Sequence, residues 1–345
     1  MNKKINNISF TFLLFFMTNQ LFTSAGLTHI LELSKQNAIY VPVLSYIIGL
    51  IPFYIFIKYY NYKEELNFYE KMNYTYKKLG KVFNIIIFLF ISLYFTYSLS
   101  ALNTYVQSKY LSDTPSFIIT ILFLVPVVYL VNHDIYSICK VTFFLFIIYI
   151  FEYVFSAFGL IKFIEIDNLM PFIDKDFFNI FKSSLHYVCY FTFPMFMLLM
   201  IPKSYIKNPK TINRDLFIGY TFSNLIVLLI IIFLISIFGI DLALIFDFPI
   251  FSLLTKINFF DFITHIENIL SFITVLTFFV NTTLSLYSMK LFIKKEKIFY
   301  FFIILCFIIS IVLFNNHTNT IRFIRSFFLI VFIPTLLLLI KRNKN

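Results

Sequence analysis

The amino-acid sequence predicts an all-α polytopic membrane protein of ten transmembrane helices. Three observations carry this. Sixty per cent of the 345 residues are hydrophobic and only 13% are charged. A typical soluble domain is about 45–50% apolar and about 25% charged, so a soluble fold of this composition lacks the polar surface to cover itself. Next, ten runs approach the roughly 20 apolar residues that cross a bilayer as helix: residues 8–30, 38–57, 82–106, 116–131, 138–161, 184–201, 216–239, 268–289, 298–314 and 321–340. Last, the basic residues alternate with these runs. From a cytoplasmic N-terminus, 20 of the 28 Lys and Arg fall in inner segments and 8 in outer ones, the bias of a positive-inside protein. An odd number of runs would scramble the alternation, so both termini are expected in the cytoplasm.

The same sorting accounts for the net charge of +11. The cations are spread over every inner segment rather than clustered on one element, which speaks against a nucleic-acid partner and for a lipid bilayer with an anionic inner face. Disorder and a disulfide scaffold are excluded by the few charges and three cysteines. The 51 Phe and 23 Tyr are expected to be mostly lipid-facing bulk and interface belt; Phe, Ile, Tyr, Asn and Lys also share AT-rich codons.

The runs differ in polar content, which is costly in lipid and therefore informative. The first contains Thr18, Asn19, Gln20, Thr23, Ser24 and Gly26, a cluster able to let a helix unwind and expose carbonyls. Lys3 and Lys4, an apolar stretch and Thr23-Ser24-Ala25 share the layout of a secretory signal peptide. Thr18, Asn19 and Gln20 inside the apolar stretch argue against cleavage. The 58–81 segment reads as a helix-like polar connector. The third run adds Tyr94, Thr96, Tyr97, Ser98, Ser100, Asn103 and Thr104. The fourth and ninth are short. The fifth holds Glu152, an acid near mid-span with no Lys or Arg in its own run. Two readings of it stay open: a proton- or cation-linked carboxylate facing a cavity, or a protonated acid bonded to a neighbouring helix. Residues 162–183 and 240–267 read as loops with apolar content, able to hold short surface helices. The sixth run contains Tyr187, Cys189, Tyr190, Thr192 and Pro194; the proline removes one helical N–H and frees a carbonyl near Tyr190. In the eighth, Thr274, Thr277 and Asn281 fall at helical spacing on one face.

Cys139, Cys189 and Cys306 are far apart, and the five histidines have no ligand spacing, so neither metal nor cofactor is expected. No zinc-protease, nucleophile-elbow or phosphate-loop pattern occurs, and no enzyme activity is expected.

Ten spans divide into two sets of five, about 8–161 and 184–340. Because five is odd, the second set starts on the opposite side, and any repeat within this single domain of residues 1–345 is inverted. Spans one and six then correspond. Paired interruptions in corresponding spans point to a central ligand site of the transporter kind; simple kinks are the other explanation.

After the seventh span the chain reads Phe248-Pro249, then Phe262-Ile263-Thr264-His265-Ile266-Glu267 entering the eighth. This resembles the spore germination permease family, the B subunits of nutrient germinant receptors. Asp113-Thr114-Pro115, Asn168-Leu169-Met170-Pro171 and Asn208-Pro209-Lys210 sit where the family has similar elements. His265 stands where an arginine is usual, and Phe193-Pro194 where a glutamate is common in the sixth span. The resemblance implies an amino acid–polyamine–organocation-type fold of two inverted five-helix repeats. It implies residence in the spore inner membrane, assembly with a larger A subunit and a lipoprotein C subunit, and sensing of a small nutrient, typically an amino acid. A secondary amino-acid transporter of the same fold is the alternative. The ligand is expected at mid-membrane between spans one, three, six and eight. Thr23, Ser24 and Gly26 would supply main-chain groups with Tyr190, Thr192 and Pro194, and Tyr97 and Asn281 would supply side chains. Glu152 is the ion-coupling candidate, and Phe248, Pro249 and Glu267 carry the family motif.

Overall fold

The computed structural model describes residues 4–171, 177–257 and 266–312. Among these, helical stretches fall on the first nine apolar runs. The first run is α1 (Asn7–Leu21), a π-helical turn (Phe22–Gly26) and α2 (Leu27–Ser34) in one continuous rod. The second is α3 (Tyr40–Tyr60), followed by α4 (Phe68–Tyr76) in the polar connector. Then come α5 (Lys78–Lys109), α6 (Ser116–Asn132) and α7 (Ile135–Leu160). The sixth run is α8 (Phe177–Phe191) continued by a 3-10 helix, Phe193–Met200. It is followed by α9 (Ile212–Ile245), short α10 (Pro249–Leu254) and α11 (Glu267–Leu270), α12 (Phe272–Phe292) and α13 (Glu296–Val312). Among the described residues, six helical segments are long and apolar enough to cross a membrane. The tenth run, residues 313–314 of the ninth, and His265 with the motif residues before it lie outside the described residues.

Burial sorts the helices. The apolar windows of Phe177–Met200, Lys78–Lys109 and Glu267–Phe292 are 89%, 78% and 72% buried, against 28% for Ile135–Phe163 and 39% for Ile212–Ile245. In α1 almost every side chain from Phe10 to Leu21 is buried. A helix enclosed all round is a core helix, so spans one, three, six and eight form the centre. The lipid-type surface is supplied by α6, α7, α9 and α13, through residues such as Leu122, Phe151, Ile218 and Ile304.

The aromatic residues are shared between these layers, which corrects the expectation of mostly lipid-facing bulk. Phe144, Phe151 and Phe158 are exposed, but Phe10, Phe15, Phe16, Phe22, Phe95 and Phe191 are wholly enclosed. Phe12 stacks on Phe146 at 3.6 Å between ring centres, and Phe15 meets Tyr149 edge-on at 5.0 Å. These rings close the seam between α1 and α7.

Two predicted loops are shorter than expected. Residues 177–183 are helical because Ile180, Ser183, Ser184 and Tyr187 repeat at helical spacing and bury one face, while Phe177, Phe178 and Phe181 stay exposed. Beyond the seventh run, α9 continues past Gly239 to Ile245, with a break at Gly239, whose φ of +66° suits a residue without Cβ.

The connector helix α4 opens with a reciprocal capping box between Asn67 and Glu70. It is fastened by Lys71, whose Nζ donates to the Tyr59 and Tyr60 carbonyls at 3.2 Å each and so caps the end of α3. Burial lowers the Lys71 ammonium from 10.5 to about 8. The Lys203 Nζ–Glu64 Oε1 pair at 2.5 Å joins this connector to the segment after the sixth span. The N-terminal segment closes on that segment too. The Ile5 N–H donates to the Tyr205 carbonyl and the Lys207 N–H to the Ile5 carbonyl, both at 2.8 Å, while Asn7 Nδ2 donates to the Asn208 carbonyl and Asp215 Oδ2.

Candidate functional site

The two expected interruptions are present, and they differ in kind. In the first span the π turn over Phe22–Gly26 widens the helix by one residue per turn without unwinding it: the Leu27 N–H still reaches the Phe22 carbonyl. Thr23 Oγ1 donates to the Gln20 carbonyl at 3.1 Å and Ser24 Oγ to the Leu21 carbonyl at 3.3 Å. Such back-bonding competes with the regular ladder and favours the irregular turn. In the sixth span the α-helix ends at Phe191, and eight residues containing Pro194 tighten into a wholly buried 3-10 helix, far longer than the usual three or four residues. The π turn packs on the end of α8, one turn ahead of the 3-10 segment: the Phe22 and Tyr187 rings lie 5.3 Å apart. A Cβ on Gly26 would sit 3.2 Å from Tyr190 Cγ, so the glycine lets the turn press against that ring.

Beside the π turn are two adjoining cavities. The larger, about 50 Å³, is lined by Thr23, by Tyr149, Tyr153 and Ser156 of α7, and by Thr274 and Thr277 of α12, with Ile250, Leu253 and Leu254 of α10 as cover. The smaller, about 10 Å³, shares Thr23, Ile250 and Thr274 and adds Ser24, Tyr105 and Phe248. One water needs about 10–15 Å³ in this measure, so the larger cavity has room for a few waters. Among the described residues, no Asp, Glu, His, Lys or Arg lines either cavity. Their polar character comes from hydroxyl groups.

The predicted residues divide accordingly. Thr23 lines both cavities and Ser24 the smaller one; Ser24 Oγ lies 3.1 Å from the Tyr97 hydroxyl, which stands behind it. Asn281 turns away from the cavities. Its Nδ2 donates to the Phe16 and Thr277 carbonyls at 2.7 and 2.9 Å, and its Oδ1 accepts from Tyr94, which also meets Gln20 Oε1 at 2.7 Å. This bridge ties α1, α5 and α12 together directly behind the π turn. Tyr190 faces Gly26, with its hydroxyl 3.5 Å from His29 Nδ1. Thr192 points the other way, bonding the Tyr220 hydroxyl at 2.8 Å; a Cβ on Gly49 would crowd that hydroxyl, so the glycine lets α3 approach here. Pro194 is buried within the 3-10 helix. Glu152 is 8% exposed and lines neither cavity; its Oε2 has no hydrogen-bond partner among the described residues.

The motif residues bound the site from one end. Pro249 starts α10, the cover. Phe248 lines the smaller cavity with its ring 5.2 Å from Tyr105 and the Lys109 Nζ 5.4 Å from its centre. Glu267 opens α11, and its carbonyl accepts from the Ser271 N–H at 2.8 Å. Ser271 in turn is held by α5: the Tyr105 hydroxyl donates to its carbonyl at 3.2 Å, and Tyr110 bonds its hydroxyl.

Residue reasoning missed Tyr149, Tyr153 and Ser156. Their spacing of four and three on α7 forms a hydroxyl stripe that helical periodicity exposes. It also missed Tyr105, and α10 as a cover.

No curated protein matches the chain. The family model for spore permeases, described as spore germination protein, matches residues 7–320. That span takes in the π turn, the 3-10 segment, both cavities and the α10 cover, and the chain belongs to this family of spore germination proteins.

Proposed function

We propose that the chain is the B-type subunit of a nutrient germinant receptor, and that it senses a small nutrient, an amino acid, at the Thr23 cavities. The observation that carries this is the π turn in span one, packed against the end of α8 just ahead of the 3-10 helix, beside a covered cavity in a spore germination protein. In this reading ten helices form two inverted five-helix repeats in the spore inner membrane, with both termini cytoplasmic. An A-type subunit and a lipoprotein C-type subunit assemble with it.

The described arrangement is contracted, since a cavity for a few waters must enlarge to take an amino acid. Enlargement moves α10 or the π turn. A ligand that prefers the enlarged arrangement shifts the population seen by the partner subunits; one that bound both equally would signal nothing. The test is germination of spores carrying Thr23→Val or Thr274→Val, titrated with single amino acids. Each loses one hydroxyl, and the concentration for half-maximal response is expected to rise roughly 2–10-fold. Unchanged response in both, at normal protein level, refutes the site.

A secondary amino-acid transporter is favoured by one observation: the enclosed Glu152 carboxylate, one oxygen of which has no hydrogen-bond partner among the described residues, a group suited to carry a proton. Uptake of labelled amino acid, driven by a pH gradient into vesicles holding this chain alone, would establish it; absence of uptake with ligand binding retained supports the sensor.

A further inference from the structure

The N-terminal end of the bundle holds a cleft of about 360 Å³ separate from the Thr23 cavities. Lys4 of the N-terminal segment, Lys140 of the second turn of α7 and Lys207 before α9 line it, and all three are exposed. No Asp or Glu lines it among the described residues. Asp134, the N-cap residue of α7, directs Oδ1 to its own helix through the Ser137 N–H and hydroxyl, both at 2.8 Å. None of the three lysines forms an ion pair among the described residues. Three cations from three elements thus converge on a cleft whose lining, among the described residues, holds no acid.

The wall of the cleft is apolar and does not end there. Phe143 and Phe144 line it, and from Phe144 an exposed stripe runs along α7 through Ile147, Ile148 and Phe151. These positions share one helix face. A soluble anion would use the lysines and leave the stripe bare; an anionic phospholipid uses both.

We propose that this cleft binds an anionic phospholipid, with the phosphate among Lys4, Lys140 and Lys207 and an acyl chain along Phe144, Ile148 and Phe151. Basic pockets between transmembrane helices are suited to such headgroups. The lipid would bridge elements already paired, since Ile5 bonds Tyr205 and Lys207. It would therefore favour the arrangement in which the starts of α1 and α9 are held together.

The test is native mass spectrometry of the full chain in neutral detergent, titrated with phosphatidylglycerol and phosphatidylcholine of matched acyl chains. Phosphatidylglycerol is expected to bind at least tenfold more tightly. The triple variant Lys4→Gln, Lys140→Gln, Lys207→Gln is expected to weaken it roughly 100-fold, at about fivefold per lysine, while the matching Lys→Arg triple keeps it. Equal binding of the two lipids, or an unchanged glutamine triple, overturns the proposal. So does displacement of phosphatidylglycerol by equimolar glycerol 3-phosphate, which would make this a soluble-anion site. If the glutamine triple fails to fold, wild-type binding that is insensitive to salt between 50 and 500 mM overturns it, because phosphate–lysine attraction is screened over that range.

Discussion

Removing one hydroxyl, Tyr94→Phe, tests whether the polar residues behind the π turn are a structural bridge. Tyr94 is enclosed and meets Gln20 Oε1 at 2.7 Å and Asn281 Oδ1 at 2.9 Å. A hydroxyl has one proton, and the Asn281 amide spends both of its own on the Phe16 and Thr277 carbonyls. Asn281 Oδ1 must therefore accept the Tyr94 proton, and the Gln20 amide, whose atom placed as Oε1 lies 2.7 Å from the Tyr94 oxygen, is turned so that its NH2 group donates to that Tyr94 oxygen. Phenylalanine leaves both amides short of a partner. Inter-helix hydrogen bonds in membranes average about 0.6 kcal/mol and reach about 1.7, so two of them together are worth about 1–3 kcal/mol. Tyr97→Phe is the control: it removes one bond, to Ser24, which keeps its own bond to the Leu21 carbonyl, and it should cost about 0.6 kcal/mol or less. Thermal unfolding of the two purified variants in one detergent measures the difference. Equal losses, or a Tyr94 variant as stable as wild type, would refute the bridge.

Three further outcomes follow from the same geometry. Wild type should gain stability relative to Lys71→Met as pH rises from about 8 toward 10.5, by roughly 3 kcal/mol in all, because the folded ammonium is held near 8 while the unfolded one titrates at 10.5. The sign is fixed by proton count: in that window the unfolded chain binds more protons, so raising pH favours the fold, and parallel melting curves for the two proteins would disprove it. Gly49→Ala should destabilise by about 1–3 kcal/mol through overpacking against the Tyr220 hydroxyl, and Tyr220→Phe in the same chain should relieve part of the loss in melting experiments. Glu152→Gln should leave the germination response within twofold of wild type if the chain is a sensor, whereas loss of response at normal protein level supports the proton-coupled reading.

Much of the fold was legible in the sequence because lipid imposes a simple rule: each spanning backbone must satisfy itself within a helix. Runs of apolar residues therefore mark α3, α5, α7, α9 and α12 to within a few residues at most ends. The misjudged ends are amphipathic ones. Residues 177–183 carry Asn179, Lys182 and Ser183, so a hydropathy scan stops short, yet Ile180, Ser183, Ser184 and Tyr187 bury a single face. The centre was legible for a related reason. Polar residues in a span need partners, and spans one, three, six and eight, richest in Thr, Ser, Asn and Tyr, are the enclosed ones.

The site was legible only in outline, and the reason lies in what a polar side chain says about its surroundings. Asn281, Thr192 and Tyr97 stood out because they are polar within apolar runs. Each has met that need with another helix: Asn281 with Phe16 and Tyr94, Thr192 with Tyr220, Tyr97 with Ser24. Polarity finds groups that must bond, and a helix neighbour satisfies them as well as a ligand does. A cavity, by contrast, is a shortage of neighbours, and composition does not record shortage. The informative signal is a local rule broken where it need not be. Thr23 and Ser24 bond back to their own helix where it widens into a π turn. That irregularity places hydroxyl groups at the edge of both cavities, while the better-bonded Asn281 and Thr192 hold the frame around them.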